Sequence, residues 1–113
     1  MERIRGLLTQ ERMEEAIELA SKLTTRCPKF AEAYNQRAIA RFVLGQFEES
    51  ATDCRQVLEL NPYHFGALGG LAQCQLRLNQ RQEAIKTLRR ALKLQPFSET
   101  LRESIAALEA QGD

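Results

Sequence analysis

The sequence predicts an all-α protein of antiparallel helix pairs stacked side by side, on three observations. Pro28, Pro62 and Pro96 stand 34 residues apart, and the same step relates Glu15, Glu49 and Glu83, then Ala16, Ser50 and Ala84. The step continues through Gly45 and Asn79, the two residue types that most readily take the left-handed backbone that ends a helix. On either side of those two positions apolar residues recur at spacings of three and four, the period of a helix with one buried face.

The elements follow in order. Counting back from Pro28, "RMEEAIELASKLTTR" is the second helix of a first unit, whose first helix is left with about eight residues, Met1 to Leu8. A helix that short is marginal in water, so it is expected to hold only by packing on Ile17 and its neighbours. This truncation (repeat 1, residues 1–30) suggests a fragment of a longer protein whose upstream helix or repeat has been removed. "FAEAYNQRAIARFVLG" and "QFEESATDCRQVLELNP" form the next pair, residues 31–64, and "HFGALGGLAQCQLRLN" and "RQEAIKTLRRALKLQP" the one after, residues 65–98, with proline stopping each second helix. Residues 99–113 close the array. "SETLRESIAALEAQGD" carries Leu101, Ile105 and Leu108 on one stripe, begins at Ser98, a good N-cap, and reads as the solvating cap that helical arrays need.

Composition limits the function classes. A chain of 113 residues with 43% hydrophobic and 27% charged residues is one globular unit with material for a core. Its formal net charge of +1 offers no global attraction to nucleic acid or anionic lipid. No apolar run approaches the roughly 18 residues of a membrane span, and "MERIRGLLTQE" lacks the apolar stretch of a signal peptide, so a membrane is not an expected partner. Cys27, Cys54 and Cys74 share no CxxC spacing and accompany a single histidine, His64, which argues against zinc; an odd count fits a disulfide framework poorly. Localisation is unknown, although this cysteine usage favours a reducing, cytoplasmic setting unless a targeting leader has been removed. No catalytic, metal or cofactor site is expected. His64 stands at a helix start, where capping is its ordinary role, and the pairs Glu14–Glu15 and Glu48–Glu49 complement helix dipoles.

The phased repeat resembles the tetratricopeptide repeat (TPR) family, whose 34-residue unit has an aromatic at position 4, small residues at 8, 20 and 27, a bulky apolar residue at 24 and proline at 32. Those places hold Tyr34, Ala38, Ser50, Val57, Cys54 and Pro62 in one unit and Leu68, Ala72, Ala84, Ala91, Leu88 and Pro96 in the next. Arg37 stands where leucine is usual, Arg41 where tyrosine is usual, and Leu68 replaces the aromatic. The resemblance implies a right-handed superhelix of about three repeats, the first truncated, that binds a peptide or helical segment of a partner protein in its concave groove, for scaffolding or assembly.

Carried over from the family, the groove is lined by Glu32, Asn35, Ile39, Phe42 and Val43 from one first helix and by Gly66, Gly69, Gln73, Leu76 and Arg77 from the next, with Gly70 beside them. Gly66, Gly69 and Gly70 lie at i, i+3 and i+4, so their missing side chains are expected to form one trough. Two readings stay open: bare backbone lets a partner approach, or it lets neighbouring helices pack. The family's clamp for a chaperone's C-terminal carboxylate needs two lysines, two asparagines and an arginine; the matching positions are Met1, Arg5, Gln36, Gly66 and Gly70, so that clamp is absent. Two alternatives remain. One is self-association through an exposed N-terminal helical edge. The other is an acidic protein or RNA on a basic third unit, where Arg77, Arg81, Lys86, Arg89, Arg90 and Lys93 face only Glu83; without interleaved aromatics, nucleic acid is not the expected partner.

Overall fold

The computed structural model describes the backbone of residues 2–111 and the side-chain surroundings of residues 9–111. Among these the chain forms six α-helices and no strand: α1 (Glu2–Arg26), α2 (Ala31–Val43), α3 (Phe47–Leu60), α4 (Phe65–Arg77), α5 (Arg81–Leu94) and α6 (Glu99–Ala110). Each helix packs mainly on its neighbours in the chain, giving the superhelical stack of helix pairs that the 34-residue period implies.

The two tight turns fall where the period puts them. Gly45 has φ +78° and Asn79 φ +60°. At each, the following amide folds back on the helix just ended: Gln46 N–H donates to the Arg41 carbonyl at 2.8 Å and Gln80 N–H to the Gln75 carbonyl at 2.8 Å. A single left-handed residue thereby satisfies carbonyls that the helix end leaves open. At the helix starts, His64 accepts the Ala67 N–H at 2.9 Å and Ser98 Oγ accepts that of Leu101 at 3.3 Å, the capping roles expected of both.

The N-terminal turn does not form. Instead of a short helix folding back on a second one, residues 2–26 make one continuous helix. The physical reason is the residue at the hinge: one step of 34 before Gly45 stands Glu11, which has no preference for positive φ and is a good helix former. Across it, Gln10 Nε2 donates to Glu14 Oε1 at 3.0 Å, one helical turn apart. The expected contact of Met1 to Leu8 with Ile17 falls on side chains outside the described residues.

The core joins successive pairs. Val57, Leu68 and Cys74 are almost wholly buried among Ala38, Ala51, Cys54, Leu58, Ala67, Leu71 and Ala91, and a second cluster of Ala72, Ile85, Leu88 and Ile105 carries the core into α6. Each fully buried Val or Leu stabilises by about 1.5–3 kcal/mol. The small residues at the close-packing positions do what the period requires: Ser50 Oγ donates to the Ala38 carbonyl at 2.7 Å, and Ala84 is fully buried. Proline ends each unit as expected, and Tyr34 OH donates to the Pro28 carbonyl at 2.9 Å, tying α2 to the preceding turn.

Arg37 and Arg41, the two departures from the family pattern, share a partner. Asp53 on α3, 2% exposed, accepts from Arg37 through both carboxylate oxygens and from Arg41 Nη1 at 2.7 Å. Arg37 Nη1 also reaches Ser21 Oγ at 3.1 Å and Thr24 Oγ1 at 3.3 Å on α1. A polar knot thus replaces a leucine and a tyrosine where α1, α2 and α3 meet. Nothing in the residue spacing alone points from either arginine to an acid on the next helix.

Candidate functional site

Between α2 and α4, floored by α3, lies a cavity of about 240 Å³. Its α2 wall is Asn35, Ala38, Ile39, Phe42 and Val43, its floor Ser50 and Cys54, and its α4 wall Gly66, Gly70 and Gln73. Seven groove residues expected from the sequence therefore come together: Asn35, Ile39, Phe42, Val43, Gly66, Gly70 and Gln73. Ile39 and Val43 remain about half exposed, 51% and 52%, which is unusual for β-branched apolar residues in a small domain. They lie one turn apart on α2, so their side chains make a continuous apolar edge.

The other four expected residues lie elsewhere. Glu32 is exposed and accepts a hydrogen bond from Gln36 Nε2 at 2.7 Å, outside the cavity wall. Leu76 lines a separate depression with residues 79–83 and Leu108. Gly69 is outside the lining, and a Cβ built on it would meet nothing within 4 Å. Arg77 stands at the edge, its guanidinium carbon 5.7 Å from the Phe42 ring centroid and 5.6 Å from that of Phe47. Those two rings meet edge to face at 5.1 Å, so Phe42 is held from α3 and capped by a cation from α4.

The three glycines do not share one trough. A Cβ on Gly70 would come within 3.2 Å of Cys54 Sγ, and one on Gly66 within 3.1 Å of His64 Cε1. At Gly70 the missing side chain makes room for a floor residue, and at Gly66 for the cap of its own helix. The cavity is open on its α4 side where Gly66 and Gly70 end at the backbone.

The floor was not foreseen. Ser50 and Cys54 sit at the family's small and bulky core positions, and only the pairing of α3 beneath both first helices turns them toward the cavity. Cys54 is buried, only 3% exposed, so its thiol is not open to attack from the cavity. It is an inert floor rather than a nucleophile.

The basic third unit is less concentrated than its sequence. Lys86 pairs with Glu83 at 3.5 Å, but Arg89 pairs with Glu109, an acid from α6 that the count of charges within the unit left out. Arg81 donates to the Gln111 carbonyl at 2.8 Å, and Arg77 is committed to the two rings. Of the chaperone-clamp positions, Met1 and Arg5 lie outside the described side chains, Gln36 is engaged with Glu32, and Gly66 and Gly70 have no side chain. Among the described residues no helix is long and apolar enough to cross a membrane.

A stack of helix pairs with an apolar cleft between its first helices is a helical-repeat module. A tetratricopeptide repeat model matches residues 44–111, and the chain belongs to that family, whose fold is generally a protein-interaction scaffold. It is 31% identical over 101 residues to a TPR repeat-containing protein of Rhizobium etli, covering 89% of this chain and 50% of that one. It is likewise 31% identical over 96 residues to the sperm-associated antigen 1 of Mus musculus, covering 85% of this chain and 10% of that one. The chain thus spans half or less of the curated relatives it matches. Among solved structures, the first TPR of Spaghetti (RPAP3), bound to the HSP90 peptide SRMEEVD, superposes with TM-score 0.82 at 24% identity over 97% of this chain and 87% of that one. MamA superposes with TM-score 0.82 at 21% identity, over 88% and 59% of the two chains.

Proposed function

We propose that this chain holds a peptide or short helical segment of a partner protein in the cleft between α2 and α4, in a scaffolding or assembly role. The observation that carries the reading is the half-exposed apolar edge of Ile39 and Val43 facing a wall that Gly66 and Gly70 leave at bare backbone. An apolar side chain of the partner fills the cavity over Ser50 and Cys54, while Asn35 and Gln73 offer amide groups to its backbone. Arg77, fixed over Phe42 and Phe47, places a positive charge at the mouth and favours a segment with an acid near its apolar anchor. The structural relative seen with a bound peptide supports a segment of this kind as the occupant.

The test is selection of peptides from a displayed random library on the chain, followed by titration. Selected sequences should share an apolar anchor with a nearby acid, and Phe42→Ala should weaken them by about tenfold or more. SRMEEVD itself should show no saturable binding, because the residues of the carboxylate clamp are missing. Selected peptides that bind Phe42→Ala and Ile39→Asp as tightly as wild type would place the binding surface elsewhere.

A further inference from the structure

We infer that the chain carries a second binding site, a cleft between α3 and α5 that takes an acidic side chain from a segment of a partner protein. Leu71 and Gln75, on the side of α4 turned away from Gly66, Gly70 and Gln73, line a cavity of about 390 Å³. Its rims carry Arg55 of α3 and Lys86 and Arg90 of α5. The cleft is the counterpart, one unit on, of the polar knot. A step of 34 takes Arg37, Arg41 and Asp53 to Leu71, Gln75 and Thr87, and Ser21 to Arg55. In the knot the acid belongs to the chain and two arginines close on it. In the cleft the acid's place is a threonine and the cations stand at the rims, so the arrangement lacks a carboxylate. Gln75 is only 4% exposed, and its Oε1 accepts the Thr87 hydroxyl at 2.7 Å. Its amide nitrogen has no partner among the described residues and is not sealed from solvent, so a deeply set donor opens into the cavity. Polar groups buried to this degree are ordinarily paired.

The charged groups of the cleft favour an anion. Lys86 and Glu83 offset each other at 3.5 Å. Arg55 and Arg90 form no ion pair or hydrogen bond among the described residues, and Glu59, one turn from Arg55 on the same rim, forms none either. Two arginines against one acid leave a positive charge uncompensated, and Lys93, one turn beyond Arg90, adds another at the edge. The floor includes Leu58 and Leu71, which are buried. The methylenes of a glutamate rest on those leucines while its carboxylate accepts from the Gln75 amide and from a rim guanidinium. No aromatic residue lines the cleft for a base to stack on, which sets a peptide ahead of RNA.

The probe is a peptide of four glutamates flanked by glycine and serine, with blocked ends, titrated into the isotope-labelled chain at low ionic strength and followed by NMR. It should shift the Gln75 side-chain amide resonances saturably, and its four-glutamine analogue should not. Arg55→Gln and Arg90→Gln should each weaken binding by about fivefold or more at unchanged helicity. Arg12→Gln, the same change of charge on α1, should leave it within about twofold. A peptide that moves no Gln75 resonance, or that both arginine variants bind as wild type does, overturns the inference. So does loss of binding in Arg77→Gln with Arg55→Gln and Arg90→Gln unaffected, which would put the acid at the mouth of the α2–α4 cavity. A uridine oligonucleotide that binds more tightly than the peptide at these same residues would overturn it in favour of RNA. Failure of the peptide reading at the α2–α4 cavity would leave the shifts at Gln75 unchanged.

Discussion

The guanidinium of Arg37 clasps the carboxylate of Asp53, Nη2 to Oδ1 at 2.8 Å and Nε to Oδ2 at 3.0 Å, and Arg41 closes the remaining side at 2.7 Å. Asp53 is almost completely buried, while Arg37 and Arg41 side chains are only 16% and 22% exposed. Removing the acid alone leaves two cations facing each other in a poorly solvated junction. Asp53→Ala should therefore lower the unfolding free energy by about 3–5 kcal/mol. Replacing the whole knot with Arg37→Leu and Arg41→Tyr, the residues usual in the family at those two places, together with Asp53→Ala, should recover most of that loss. Urea titration followed by circular dichroism reads both, and a triple variant no more stable than Asp53→Ala would show that the knot is not interchangeable with an apolar core.

How much of this was legible in the sequence depends on whether the signal was periodic or paired. Gly45 and Asn79 announce their turns through one backbone preference each, and the structure gives both a positive φ. The Arg37–Asp53 pair has no such marker: its members are 16 residues apart on different helices, and each alone reads as a surface charge. The continuous α1 was hidden for the opposite reason, because the 34-residue period argued for a turn while Glu11 argued against one. At the candidate site, seven lining residues followed from the family register. Gly69 and Leu76 diverge from it because the cleft lies between α2 and α4 rather than along the whole of α4. The floor of Ser50 and Cys54 needed the third helix in place.

Thiol chemistry distinguishes the three cysteines. Cys27 is exposed in the turn before Pro28, while Cys54 and Cys74 are buried, at 3% and 0% exposure. Under native conditions at neutral pH an aromatic disulfide reagent should modify one thiol per chain quickly and the other two only on unfolding. Three equal rates would contradict the helix faces described above.

Ala84 reports on the close packing that the period imposes. It is fully buried at the place where Ser50 hydrogen-bonds across to α2 in the preceding pair. Ala84→Leu inserts a side chain with no room to accept it and should cost about 1–3 kcal/mol by overpacking. The denaturation midpoint checks it, and an unchanged midpoint would mean that α4 and α5 do not approach closely there.

The glycines of α4 separate stability from binding. Gly69 faces open space, so Gly69→Ala should gain helix propensity of up to roughly 1 kcal/mol and Gly69→Leu should fold as well as wild type. At Gly70 the same methyl meets Cys54 Sγ at 3.2 Å, and that sulfur is packed in the core with little freedom to retreat. Gly70→Ala should therefore gain less than Gly69→Ala or lose stability outright, and Gly70→Leu should both overpack α3 and fill the cavity. For a peptide selected on the wild-type chain, Gly69→Leu should leave affinity within about twofold, as a control outside the cavity, whereas Phe42→Ala weakens it through the α2 wall. Melting curves and titrations on the same samples measure the two effects apart. If Gly69→Leu remains folded yet loses the peptide, the partner lies across the exposed face of α4 and not in the cleft.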